Sequence, residues 1–268
     1  MLTALALTLA LGGPGASGGK LEIANVRTTY GYLGAPRPRN VGRIPGDIAH
    51  FAFDIKNLKL DENGRAYYSV AMEILDPKGQ VFYREAPRNA TALNYLGGNS
   101  LPCTAHLAVP LDTPPGEYTL KVTIKDRKTN ESVTFEGKGT VLKKEFGLIQ
   151  VGTFADRESK VPAPPVGVVG SSLYVNFAAV NFARDKTTKQ PSLLVKMRVL
   201  DDKGKPTFSQ PLTGRANSGI GEDMPIVPMH FGMTLNRVGR FTIELEATCE
   251  LCGATTRVTL PLRVVDLE

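Results

Sequence analysis

The sequence contains no tryptophan, and only three histidines and three cysteines in 268 residues. Each scarcity narrows the functions open to it. Without Trp there is no indole platform for sugars, although Tyr83 and Tyr95 remain available for stacking. No His stands beside a Ser or Cys nucleophile and a carboxylate in a recognisable motif, so a hydrolytic triad has no sequence support. One close cysteine pair supplies half of the four ligands a structural zinc needs. Long amphipathic helical patterns are missing, and no apolar run reaches the roughly 20 residues that span a bilayer.

Charge of one sign is also scarce. The net charge is +6, from 32 basic and 26 acidic residues, and the two signs alternate as on solvated surfaces. Only Arg37, Arg39 and Arg43, in APRPRNVGRIPG, form a basic cluster. A nucleic-acid site needs a basic face with stacking aromatics, so no nucleic-acid partner is expected. A polyanionic wall component or glycan is a softer option.

What is present is Gly, Pro and short alternating runs of Val, Leu, Ile and Thr, a composition that favours β structure. The chain opens with MLTALALTLAL, apolar and uncharged, followed by GGPGASGG with the small residues Ala16 and Gly18. Residues 1–19 read as an export signal, although no Lys or Arg precedes the apolar run. A soluble exported protein is expected: periplasmic, cell-surface or secreted.

The chain then repeats itself. MEILDPKG (72–79) returns as MRVLDDKG (197–204), and GEYTLKV (116–122) as GRFTIEL (239–245). FDIKNL (53–58) matches FAAVNF (177–182), and HLAVPL (106–111) matches HFGMTL (230–235), always at an offset of 123 to 125 residues. So long a period, present twice, points to two copies of a domain rather than a solenoid. Each copy reads as about seven strands with turns between them, which predicts a β-sandwich. The fold class expected is all-β: two tandem antiparallel sandwiches over 20–143 and 144–268, arising by internal duplication and joined closely at LKKEF (142–146).

The phrase PPGEYTLKVTIKDRKTNES followed by VTFEGKGTVL resembles the last hairpin of the immunoglobulin-like and fibronectin type III-like modules of bacterial exported proteins. The likeness covers both repeats. It implies a sandwich fold and a spacer or binding role, and it brings no catalytic residue and no cofactor.

Cys249 and Cys252 lie in EATCELCGAT. Aligned without gaps, DRKTNE (126–131) stands opposite CELCGA (249–254), so Cys249 replaces Asp126, Cys252 replaces Thr129 and Gly253 replaces Asn130. Asn and Gly both tolerate positive φ, which predicts a matching left-handed turn. Such a turn brings its first and fourth Cα atoms within about 7 Å, near the upper limit for a disulfide. A local disulfide is expected; a reduced pair, a redox centre and half a metal site stay open.

Other candidates read as structure. In MPIVPMHFGM (224–233), Met229, Phe231 and Met233 share one strand face and His230 takes the other, so copper ligands would diverge. His106 and His230 occupy matching places, as do Asn57 and Asn181, and each pair suggests a shared structural hydrogen bond. Cys103 reads as a small buried apolar residue, DENG (61–64) as a turn, and the Asn-X-Ser/Thr triplets at 89–91 and 130–132 as chance. The longest irregular segments, RNATALNYLGGNS (88–100) and TGRANSGIGEDMP (213–225), are candidate binding loops, with Asn94, Tyr95, Arg215 and Asn217 beside the Arg37, Arg39 and Arg43 connection. The function expected is non-catalytic binding of a protein or envelope component, with no cofactor and no metal. The alternatives are a secreted proteinase-inhibitor-like protein, or a periplasmic copper or zinc carrier.

Overall fold

The structure is a computed structural model that describes residues 19–38 and 41–267. The apolar start of the chain and Arg39 lie outside the described residues. Among the described residues there are fifteen strands and no helix.

The first seven strands are β1 (Glu22–Thr29), β2 (Ile48–Lys56), β3 (Arg65–Leu75), β4 (Val81–Leu93), β5 (Ser100–Ala108), β6 (Gly116–Asp126) and β7 (Ser132–Val141). They form two antiparallel sheets, ordered β1-β2-β5 and β4-β3-β6-β7. The remaining strands are β8 (Gly147–Phe154), β9 (Val166–Val168), β10 (Ser172–Val180), β11 (Leu193–Leu200), β12 (Leu212–Ala216), β13 (Ile226–Thr234), β14 (Gly239–Cys249) and β15 (Ala254–Val265). These form sheets ordered β8-β10-β13 and β12-β11-β14-β15-β9. Apart from the short β9, which pairs parallel to β15, the second order repeats the first strand for strand.

Alternation explains each sheet pair. In β6 Tyr118, Leu120, Val122 and Ile124 are buried, and in β14 Ile243, Leu245, Ala247 and Cys249 are; the residues between them face outward, as a period of two requires. The first core gathers Phe53, Ile55, Met72, Ile74 and Leu120. The second gathers Val175, Phe177, Val195, Met197, Ile243 and Leu260.

Turn chemistry also repeats. Gly79 and Gly204 close the DPKG and DDKG turns with φ of 79° and 76°, and Asn130 and Gly253 turn the last hairpins with φ of 63° and 67°. Asn57 and Asn181, both at positive φ, each donate from Nδ2 to the carbonyl oxygen of a residue just before the first strand of their half: Lys20 at 2.8 Å and Glu145 at 2.9 Å.

The expectation of irregular segments at 88–100 and 213–225 needs correction. β4 continues to Leu93 against β3, and β12 holds residues 212–216 against β11. Most of β4 is exposed on both faces, so it lacks the apolar alternation that marks a strand in sequence. Only residues 94–99 and 217–225 remain outside strands in these stretches.

Between the two halves, Ile149, Ala178 and Val180 form a buried cluster with Ile44, Leu111 and Ile226 against it. Beside it the buried Asp47 carboxylate accepts from the Ile48 and Gln150 amides, both at 2.8 Å, and Gln150 Nε2 donates to the Gly46 carbonyl at 2.9 Å.

Candidate functional site

The first sheet pair is open along one side. A cleft of about 290 Å³ enters between the edge strands β1 and β7 and reaches Ala49, Phe51, Ile74, Leu107, Val109 and Leu120. Phe82 packs edge-on against Tyr118 in its wall, with ring centroids 5.3 Å apart.

The cause lies in β7. Its residues Gly137 and Gly139 pair with Leu120 and Tyr118, both core residues, and cross-strand partners share a face. The two glycines therefore occupy core-facing positions and fill nothing. In β15 the matching residues are Leu260 and Leu262, paired with Ile243 and Phe241 and buried to 1% and 3% exposure. A Cβ on Gly139 would meet no atom within 4 Å, whereas one on Gly137 would overlap the Phe135 ring at 2.8 Å, so that ring must move before a side chain enters there. The second half has its own hollow at the like end, of about 390 Å³, but it is lined by Leu262 and Val264 and does not reach Leu260.

Two residues that line the cleft, Arg43 and Thr113, each carry a buried polar atom. Arg43 Nη1 and Thr113 Oγ1 make no hydrogen bond among the described residues, although Arg43 and Thr113 are only 8% and 4% exposed. Arg43 shares one carboxylate with Arg37: Asp47 Oδ2 stands 2.7 Å from Arg37 Nη1 and 3.5 Å from Arg43 Nη1. Burial, followed by repulsion from Arg37, brings the Arg43 pKa down to about 10, so the group stays cationic at neutral pH. Two cations against one anion leave a buried excess of positive charge beside an apolar cleft.

The proposed basic connection is thus not a solvated loop. Arg37 donates to Gly42 O at 2.8 Å and lies over the Tyr30 ring, 5.2 Å from its centroid. Arg39 lies outside the described residues. Away from the cleft, Asn94 Nδ2 donates to Gly98 O at 2.8 Å, Tyr95 is 83% exposed, Arg215 in β12 pairs with Glu250 at 3.0 Å, and Asn217 is exposed. Nothing brings these residues together with the cleft.

Cys249 and Cys252 are joined, with Cα atoms 5.5 Å apart. Cys249 Sγ accepts from the Ala183 amide at 3.5 Å and the Cys252 amide at 3.3 Å. Asp126 takes the matching donors, Lys59 N at 2.7 Å and Thr129 N at 3.2 Å. The pair sits at a turn away from the cleft. Cys103 is free and half-buried, and burial raises its pKa.

His50 and His106 face each other across β2 and β5 with ring centroids 5.8 Å apart, while the exposed His230 has its Nε2 3.2 Å from Arg157 Nε. The shared His106 and His230 position therefore does not carry a shared hydrogen bond. Among the described residues no group of three or more His, Cys, Asp or Glu is placed to hold a metal.

Sequence reasoning passed over Gly137, Gly139, Thr113 and Asp47. The first two had a signal: the gapless alignment of the final hairpins sets EGKG (136–139) opposite TLPL (259–262), glycine against leucine twice at core positions.

No protein-family profile and no curated protein sequence matches the chain. The fold is similar to part of dimeric latent PorU from Porphyromonas gingivalis, with 97% of this chain aligned, 11% identity and a TM-score of 0.42. This chain spans 22% of that one, and so weak a likeness carries nothing about activity.

Proposed function

We propose that the chain is a non-catalytic exported binding protein built from two copies of one immunoglobulin-like unit, residues 20–143 and 144–268. In this reading the first copy binds through the cleft between its sheets, and the second, with leucines at the two glycine positions, serves as a support. The repeated strand order and the paired left-handed turns favour duplication. One observation carries the functional reading: two leucines of the second core are two glycines in the first, and an apolar cleft opens there. A hollow in a core costs stability, so one that reaches Leu120 past Gly137, where the matching Leu260 is buried and lines no hollow, fits a site kept for a ligand.

Titration with the uncharged fluorescent probe phenylnaphthylamine tests the reading. One saturable site per chain is expected in the wild type. Gly139→Leu should remain folded and weaken the probe about tenfold or more, because the new side chain enters the mouth of the cleft. Equal binding by both proteins would show that the cleft is not the binding element.

A further inference from the structure

We infer that the cleft takes an amphiphile with an apolar chain and a single carboxylate, a fatty acid or a molecule of that design. This inference rests on the binding role proposed for the cleft and names its ligand. The tail is specified by the lining. Phe51, Phe82, Ile74, Leu107, Val109 and Leu120 offer apolar carbon, and a dry hollow of about 150 Å³ already accepts a benzene-sized molecule; this one is larger.

The head is specified by what is left unpartnered. Arg43 Nη1 and Thr113 Oγ1 are buried donors without acceptors among the described residues, in residues that line the cleft. Asp47 cannot neutralise both guanidiniums, since one carboxylate is shared between them, closer to Arg37 than to Arg43, while its Oδ1 accepts two amides. An anion is what this environment lacks. A carboxylate accepts from a guanidinium and from a hydroxyl in charge-assisted bonds, and it would satisfy groups whose burial is otherwise unfavourable. A neutral ligand would leave the buried excess of positive charge at Arg37 and Arg43 uncompensated.

The competing occupant is an extended peptide added to the free edge of β7. There the chain itself pairs near Arg43, whose amide donates to Thr140 O and whose carbonyl accepts from Leu142 N, both at 2.8 Å. Strand addition would use backbone groups and would leave the buried guanidinium and hydroxyl unexplained, so the amphiphile is favoured.

Calorimetric titration at neutral pH with dodecanoate and with dodecanol, both below their aggregation limits, decides the matter in the full chain. Dodecanoate should bind one to one, with dodecanol about tenfold or more weaker. Thr113→Val and Arg43→Met should each bring dodecanoate toward the level of dodecanol. Thr113→Val alters one hydroxyl and keeps the test valid if Arg43→Met fails to fold. A second control rewrites β7 with the core-facing residues of β15 (Phe135→Val, Gly137→Leu, Gly139→Leu) and should bind neither ligand.

Equal affinity for the acid and the alcohol would overturn the carboxylate assignment while leaving the binding cleft intact. Binding of phenylnaphthylamine without dodecanoate, or displacement of that probe by an alternating apolar peptide but not by dodecanoate, would do the same. Failure of all probes would remove both the ligand and the cleft reading.

Discussion

Asp126 accepts hydrogen bonds from the amides of Lys59, Lys128 and Thr129, at 2.7, 2.7 and 3.2 Å; at the matching turn, Cys249 Sγ accepts from those of Ala183 and Cys252. Both residues are buried, at 1% and 0% exposure. Each holds the chain two residues beyond a left-handed Asn against the final hairpin. Asp126→Ala leaves buried amides without an acceptor and should cost about 3 kcal/mol in urea unfolding. Cys103 is the only free thiol among the described residues, so alkylation of unreduced, denatured protein should add one label by mass, and three labels would show an open pair.

The residue scale also carries a pH dependence. Burial first, then the neighbouring charges of His106 and Arg43, lowers the His50 pKa from 6.5 to about 4, with Asp47 opposing. The unfolded chain therefore takes up a proton at His50 between those values while the folded chain does not. Stability from this group is complete above pH 6.5, falls as the pH drops toward 4 and then levels off. His50→Gln should flatten that part of the unfolding profile. The equivalence of Asp126 and Cys249 was legible in the ungapped hairpins, because turn residues are fixed by local backbone geometry. The His pairing was not, since it depends on the register of β2 against β5.

Among the elements, β7 and β15 differ where it matters most. They have the same register against β6 and β14, yet β7 reads Phe135, Gly137, Gly139 on its core face where β15 reads Val258, Leu260, Leu262. The outward residue between the second pair is Lys138 in one and Pro261 in the other. Proline cannot donate from an edge, so β15 is blocked there where β7 is not. Gly139→Leu should raise stability by about 1 kcal/mol, as cavity filling commonly does, measured as a higher midpoint in urea. A loss of stability would mean that the surrounding side chains already use the space. Strands with apolar alternation, such as β2, β3, β6 and β14, were readable from sequence. β4 was not, because an exposed edge strand carries no burial pattern.

At the scale of the whole molecule, the two halves meet through Asp47, Gln150 and the apolar cluster around Ile149 and Val180. Asp47→Ala would leave Arg37 and Arg43 buried without their counter-ion, and breaking a buried pair in this way costs roughly 3–5 kcal/mol. Calorimetry should then show the two halves melting in separate transitions, where the wild type melts in one. The repeat was legible at this scale because turns and core faces recur at a fixed offset. The junction was not: Asp47 looks like an ordinary loop acid, and its burial goes with partners far along the chain, the Gln150 amide above all.

Methyl NMR under xenon pressure tests most directly whether β7 leaves a hollow that β15 fills. Xenon enters dry apolar cavities without regard to head groups. The methyls of Ile74, Leu107, Val109 and Leu120 should shift with saturation, while those of Val195, Ile243 and Leu260 stay in place. Equal shifts in both sets, or none in the first, would contradict a cleft created by Gly137 and Gly139.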